Sequence, residues 1–259
     1  MFNNSIFIRA VQTLRTDGVY RTLLLTIRFL SWRIEYHRQI GQLSPHVATI
    51  FFHLTKAWVR STNAIGRLLN KNRYTDTDPY KRIYVDPNEI RLETAAAARR
   101  RGWVEDGDWD QETNLFNSRT IPKAIHQRYV DNKPWYETDV HNKETHKKIE
   151  RIHDSIHQHG YKSQIVLIEE SSEAVWKDLN DSIHPSVNEI SIDIGRNGEL
   201  LWNMCGQHRL TIAKVLDIDR VPVQVFRRHT EWQAIRNRSQ DGTEIPEEYR
   251  NHPDLADLQ

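Results

Sequence analysis

The chain has 259 residues, of which 38% are hydrophobic and 27% are charged, and its formal net charge is +1. This composition is typical of a polar globular protein with one large or two small domains, and it excludes the disordered and fibrous classes. The single cysteine, Cys205, excludes a disulfide framework within the chain and a multi-cysteine zinc module.

The net charge conceals an asymmetry along the chain. Residues 1–75 hold 11 Lys and Arg against two acidic residues, a net charge of +9, whereas residues 76–259 hold 25 against 33, a net charge of −8. The difference predicts a basic helical region over 1–75 and a second domain over 76–259. No apolar run of about 18 residues and no signal-peptide pattern occurs, so we expect a cytoplasmic location.

The basic region is predicted to form helices. Apolar residues recur at helical spacing over 20–34, and Ser44-Pro45 is typical of the start of a second helix. The second helix carries a broad apolar face formed by Val47, Ile50, Phe51, Leu54, Trp58, Ile65 and Leu68. The polar, turn-rich segment 70–79 predicts the boundary between the two regions.

Region 1–75 has three interpretations. In the first, the region packs on the second domain as a helical cap. In the second, it lies on an anionic membrane surface, which would make the protein peripheral to the membrane. In the third, it binds nucleic acid phosphates. Because Phe51, Leu54 and Trp58 form a face too large to leave in water, we expect that face to pack on the second domain. We expect the arginine-rich stretch 21–38 to meet lipid or a partner.

The second domain begins with mixed elements. A strand is predicted at 83–90, ended by a turn at Asp86-Pro87, and the acidic loop 105–110 holds four carboxylates. Helices are predicted over 93–101, 121–130 and 141–159, the last one closed by Gly160, and 165–168 is a short apolar run.

Residues 187–229 carry the clearest pattern. Ile190, Ile192 and Ile194 alternate with polar residues, which predicts a half-buried strand. A hairpin turn at 195–198 and a returning strand at 199–204 follow it. A helix over 208–216 and a strand over 221–226 complete a strand, strand, helix, strand order.

The segment Gly206-Gln207-His208-Arg209 lies between a predicted strand and a predicted helix. Free amides at a helix N-terminus favour an anion, and a glycine lets the backbone approach it closely. His208 and Arg209 add side-chain donors. We expect Arg209 to face a phosphate and not the core, although it could instead pair with a local carboxylate.

This segment, together with the strand Val221-Pro222-Val223, resembles the ParB/sulfiredoxin-like superfamily. Members share a G-x-H-R or G-x-R-R box that binds nucleotide phosphates, and the resemblance implies an α+β fold with a mixed sheet. The stretches 107–110 (GDWD) and 134–138 (PWYET) are similar to those of uncharacterised archaeal proteins with ParB-like domains. The specific resemblance covers residues 187–229.

The resemblance implies a nucleotide ligand, ATP or another, bound at Gly206, Gln207, His208 and Arg209. The most concrete activity is phosphoryl transfer to a small hydroxyl-bearing acceptor, a kinase reaction. Such a site needs Mg²⁺ and a base. The candidate metal ligands are Asp108 and Asp110, and the candidate catalytic residues are Glu189, His208 and Asp108. Asp193 shares the strand of Glu189 and is a further carboxylate within possible reach.

An alternative is a non-enzymatic, nucleotide-gated protein of ParB type that associates with DNA through its basic helices. Two differences between this chain and members of the superfamily narrow the choice of function. Gln207 stands where sulfiredoxin has its reactive cysteine, so we do not expect sulfinic-acid reduction. Only 30 residues follow His229, too few for the helix-turn-helix module that ParB uses to read DNA. The pair His153 and His157 has metal-ligand spacing, but chance pairs are common among 13 histidines.

Overall fold

The computed structural model of the chain describes residues 45–91, 101–111, 143–177, 184–185, 188–203 and 205–258. These residues form an α+β structure with one mixed sheet of five strands. The strands are β1 (Arg82–Val85), β2 (Trp103–Glu105), β3 (Ile190–Ile194), β4 (Leu200–Trp202) and β5 (Val221–His229). The helices are α1 (Pro45–Leu69), α2 (Lys143–His159), α3 (Gln164–Lys177), α4 (Gln207–Val215) and α5 (Thr230–Gln240).

The nine-residue strand β5 is the centre of the sheet. β1 pairs antiparallel with its first half and β2 pairs parallel with its last three residues, while β3 pairs parallel with β5 along the other edge. β4 pairs antiparallel with β3. The register shifts between Ile192 and Asp193, which pair with Val225 and Arg227, so that Phe226 forms a bulge. The bulge places Arg227 opposite Asp193.

One face of the sheet carries the main hydrophobic core. The alternating isoleucines of β3 and the valines of β5 are buried there, as the period of two predicts. The prediction that this strand is half-buried is wrong, because Ser191 and Asp193 on its other face are buried as well. Leu210 and Ala213 of α4 and Trp232 of α5 cover them, together with Leu255 from the C-terminal segment. A second cluster joins Ile149 and Ile156 of α2 to Ile212 of α4. The sequence order of β3, β4, α4 and β5 therefore matches the predicted strand, strand, helix, strand pattern.

A buried network of ion pairs joins the C-terminal segment and Asp76 to β5 and α5. Arg228 donates from Nε to Asp254 Oδ2 at 2.8 Å, and Trp232 Nε1 donates to the same oxygen at 3.0 Å. Arg236 donates from Nη2 to Asp76 Oδ2 at 2.7 Å and also binds Asp254 and Asp257. These pairs hold the C-terminal segment and residue 76 against β5 and α5.

Helix α1 packs with a different face from the one expected. Ala48 and Phe52 are buried, and Phe52 stacks on His184 with ring centroids 4.3 Å apart. Leu54 is 63% exposed and Trp58 is only partly buried. The prediction that Phe51, Leu54 and Trp58 form the packed face is wrong for Leu54, whereas Phe51 and Trp58 are partly buried. The helix contacts its neighbours mainly along the line that runs through Ala48 and Phe52.

Contacts of α1 cross the predicted boundary between the two regions. Arg60 Nε donates to Asp78 at 3.1 Å, and the Asn63 side chain donates to the Gly102 carbonyl at 3.3 Å. The division into 1–75 and 76–259 stays a prediction. Among the residues described, no helix is long and apolar enough to cross a membrane.

The other predicted elements agree with the structure, differ from it in length or type, or lie outside the described residues. α2 ends before Gly160, which has a φ of +74°, as expected for a glycine that closes a helix. The apolar run 165–168 lies within helix α3, and β1 is shorter than the predicted strand, because Asp86 caps a 3₁₀ turn at Pro87–Glu89. The predicted helices over 20–34 and 121–130 lie outside the described residues, as does the one over 93–101 except for its last residue.

Candidate functional site

Gly206 lies at the junction of β4 and α4 and begins the helix in the left-handed conformation, with a φ of +76°. A β-carbon at this position would stand 2.6 Å from the Ile190 Cα, so the turn packs directly against the start of β3. Cys205, the preceding residue, donates its amide to Ser191 Oγ at 3.0 Å. The glycine is therefore required by close contact with β3 as well as by its backbone conformation.

Among the described residues, no side chain caps the N-terminus of α4. The first amides of an α-helix have no acceptor within the helix, and they carry the positive end of its dipole. Gln207 and His208 lie in this first turn and are partly buried, with Gln207 Nε2 3.4 Å from His208 Nε2. The first turn of α4 thus keeps the features that favour an anion.

Arg209 lies in the core, and the expectation that it faces a phosphate is wrong. Arg209 is 8% exposed, and its Nη1 atom stands 3.3 Å from Glu189 Oε2. Nη2 donates to the Lys162 carbonyl, and the guanidinium lies 4.3 Å from the centre of the Tyr161 ring. Arg209 instead pairs with a local carboxylate, that of Glu189, which was the alternative expectation for this residue.

Glu189 is fully buried between basic groups. It accepts the Gln164 amide at 2.6 Å, binds Arg209, and stands 3.5 Å from the Arg82 Nε. Burial raises its pKa, although the Arg209 charge opposes that shift. A carboxylate with this many partners holds the start of β3, α3 and α4 together.

Three further basic side chains converge beside the box, and we call them the basic cluster: Lys56 of α1, Arg82 of β1 and Arg101 before β2. Lys56 Nζ and the Arg101 guanidinium stand 5.5 and 4.9 Å from the centre of the same ring, that of Tyr80. Arg101 interacts electrostatically with Arg82 and with Cys205, the residue before the box. Arg82 reaches Glu189. Because Glu189 also binds Arg209, Arg82 connects the cluster to the first turn of α4.

The charges of the basic cluster repel one another. Burial lowers the pKa of Lys56, and the nearby Arg60, Arg82 and Arg101 lower it further. Burial also lowers the pKa of Arg101, whose buried Nε atom has no hydrogen-bond acceptor among the described residues. A buried donor without an acceptor costs stability. Of the two carboxylates close to the cluster, Asp78 binds Arg60, and Glu189 is shared between Arg82 and Arg209.

Asp108 and Asp110 do not join this site. Both bind Arg196 of the hairpin turn: Arg196 Nη2 stands 2.8 Å from Asp108 Oδ1 and 2.8 Å from Asp110 Oδ1. The Arg196 amide also donates to Asp110 at 2.9 Å, and the Arg196 charge with its hydrogen bonds lowers the Asp110 pKa against the effect of burial. Arg196 follows the end of β3, whereas Gly206 contacts its beginning, about 13 Å away at the usual rise of a strand.

These aspartates also do not fit the predicted Mg²⁺ site, because one guanidinium takes their oxygens. Within the described ranges, no group of three or more His, Cys, Asp and Glu side chains is placed to hold a metal. Asp193 is buried at the same far end of β3, where Arg227 Nη2 donates to it at 2.8 Å. Burial raises the pKa of Asp193 to about 6.

Sequence reasoning identified Gly206 and Glu189 at this site but missed the basic cluster. Its members come from three segments and share no local motif. The only sequence signal for them is the charge of α1, which contains lysine and arginine but no acidic residue.

Comparisons of the chain with models of protein families, with curated proteins and with solved structures found no match. The ParB/sulfiredoxin-like resemblance therefore rests on the residues quoted for it.

Proposed function

We propose that the chain binds a nucleotide, with its phosphates held by the basic cluster and the first turn of α4. The observation that carries this proposal is geometric: Lys56 and Arg101 lie over the same Tyr80 ring, and Arg82 shares Glu189 with Arg209 of the first turn of α4. A phosphate there would offset the mutual repulsion of the cations. Arginine is well suited to this task because its planar fork matches phosphate oxygens.

A nucleotide is favoured over a simple anion by two features. The ParB/sulfiredoxin-like resemblance implies a nucleotide, with ATP as the first candidate. Tyr84 lies two residues along β1 from Arg82, so both side chains are on the same face of the sheet, and Tyr84 is 55% exposed. An exposed aromatic ring offers a base a stacking surface worth about 1–3 kcal/mol.

Phosphoryl transfer to a small hydroxyl-bearing acceptor is a separate step. Of the predicted catalytic residues, Glu189 lies at the start of β3 and His208 in the first turn of α4, whereas Asp108 lies near the far end of β3 and binds Arg196. Glu189 is itself held by Arg209 and by a backbone amide. The geometry thus supports nucleotide binding better than catalysis. The alternative of a nucleotide-gated, DNA-associated protein shares the same binding step.

A thermal-shift screen tests the proposal. ATP, ADP, CTP and GTP are added to the full-length protein with and without Mg²⁺, and at least one of them should raise the melting temperature. A ligand at about 100 times its Kd stabilises the folded state by about 2.7 kcal/mol. If none of the four changes the melting temperature at millimolar concentration, the proposal is wrong.

The ligand-free stability of Lys56→Met gives a second readout. Met keeps the packing on the rings of Phe52 and Tyr80, which lie 5.8 and 5.5 Å from Lys56 Nζ, and removes one of the repelling charges. We expect the variant to melt at or above the wild-type temperature without nucleotide and to lose most of the nucleotide-dependent shift. The matched control is Arg220→Met, an exposed arginine on the turn before β5.

A further inference from the structure

Helix α1 has an apolar line on its outer surface, which we call the exposed stripe. Its members are spaced three, four or more residues apart on one side of the helix: Val47, Ile50, Leu54, Ile65 and Leu68, which are 47, 62, 63, 56 and 86% exposed. Successive residues of a helix are offset by 100°, so these five fall within a sector of about 60°. From the first to the last the stripe is about 32 Å long.

A stripe of this size signals an interaction surface. The stripe has two parts, Val47, Ile50 and Leu54 near the start of the helix and Ile65 and Leu68 near its end, about 17 Å apart. Single exposed aliphatic residues are ordinary, but groups of them on one side of a helix mark sites that bind proteins or membranes. The buried side of α1, through Ala48 and Phe52, lies elsewhere on the helix circumference. The contacts of α1 with Tyr80, His184 and Gly102 therefore leave the stripe uncovered by the residues that the structure describes.

The charges of α1 indicate the kind of partner. The helix contains Lys56, Arg60, Arg67 and two histidines, and it has no acidic residue. By helical geometry the five basic side chains fall in the sector between the exposed stripe and the buried face. Region 1–75, to which the helix belongs, has a net charge of +9. An apolar stripe flanked by basic residues is the pattern of helices that lie in a membrane interface.

We propose that α1 lies in the plane of an anionic lipid bilayer, with the exposed stripe among the acyl chains and the flanking basic residues toward the lipid phosphates. Nucleic acid does not explain the stripe, since its phosphates bind cations and leave aliphatic side chains in water. A second copy of the chain fits less well, because two such helices would bring together two basic sectors, in each of which only Arg60 binds a carboxylate among the described residues, that of Asp78. The flanking basic residues of this proposal are Arg60 and Arg67, because Lys56 lies over the Tyr80 ring and belongs to the basic cluster. The proposal is therefore independent of nucleotide binding.

Vesicle co-sedimentation of the full-length protein tests it. The probes are vesicles of phosphatidylcholine alone and of an equimolar mixture with phosphatidylglycerol, each at low and high salt. The double variant Ile50→Asn/Leu54→Asn shortens the stripe without changing charge, and Ile165→Asn/Val166→Asn on α3, at residues 38 and 36% exposed, is the matched control. We expect the wild type and the control to sediment with anionic vesicles, and the stripe variant to bind at least about tenfold more weakly.

Salt and oligomeric state complete the test. Binding to anionic vesicles should weaken as salt rises, because the basic residues act through screened charges. Absence of wild-type binding, or equal binding by the stripe variant, would overturn the proposal. So would a loss of dimer mass in light scattering of the stripe variant, which would assign the stripe to a second copy. Thermal melting establishes that each variant is folded, and duplex DNA binding without vesicle binding would assign the basic sector to nucleic acid.

Discussion

Asp254→Ala is expected to lower the free energy of unfolding by about 3–5 kcal/mol, the usual cost of removing one partner of a buried ion pair. Asp254 is 1% exposed, and its carboxylate accepts hydrogen bonds from Arg228 and Trp232. Arg236, fully buried beside it, would also lose a counter-charge. Urea unfolding measures the change. Asp219→Ala, at an exposed aspartate, should change the unfolding free energy by less than about 0.5 kcal/mol.

The pH dependence of this effect has a definite sign. The Arg228 and Arg236 charges lower the pKa of Asp254 despite its burial, so its contribution to stability is complete above the ordinary aspartate pKa of about 4. It is lost as the pH falls below that value, because the unfolded chain then binds more protons. The difference between wild type and Asp254→Ala should therefore narrow between pH 4 and pH 2. A constant difference over that range would contradict the role given to the charge.

Gly206→Ala is expected to be the most disruptive single substitution at the candidate site. The left-handed conformation costs a non-glycine residue about 1–2 kcal/mol. The added carbon would also stand 2.6 Å from the Ile190 Cα, and forcing extra volume into a packed site costs about 1–3 kcal/mol. The sum predicts a loss of about 2–5 kcal/mol in unfolding free energy.

Gly242→Ala separates the two causes. Gly242 also has a positive φ, +69°, but a β-carbon there would meet nothing within 4 Å. We expect this control to lose only the conformational part, about 1–2 kcal/mol. Equal losses at the two glycines would show that the contact between Gly206 and β3 contributes nothing.

The sequence predicts the local structure of the 187–229 segment well. Alternation of isoleucines and the Asn197-Gly198 pair are local signals, and the structure confirms the strand and the turn, with Gly198 at a φ of +85°. The predicted end of the last strand is three residues early. Two arginines in a row, Arg227 and Arg228, predict solvent exposure and therefore the end of a strand. In the fold each of them is buried and paired with a buried aspartate, Asp193 and Asp254.

The site could be predicted only in part, because its charges pair across long distances in sequence. The orientation of Arg209 depends on Glu189, twenty residues earlier, and the use of Asp110 depends on Arg196, 86 residues later. No spacing rule reports such partners. The face of α1 that packs was mispredicted for a related reason: an apolar residue on a helix can serve the core or an outside surface, and periodicity does not distinguish the two.

The most direct test of the account is a calorimetric titration of ATP into the wild type, Lys56→Met and Arg220→Met. The account predicts one site per chain, an affinity at least about tenfold lower for Lys56→Met, as expected when a hydrogen bond to a charged group is lost, and an unchanged affinity for Arg220→Met. No binding of ATP to the wild type, or equal affinities for all three proteins, would contradict the assignment of the basic cluster to nucleotide phosphates.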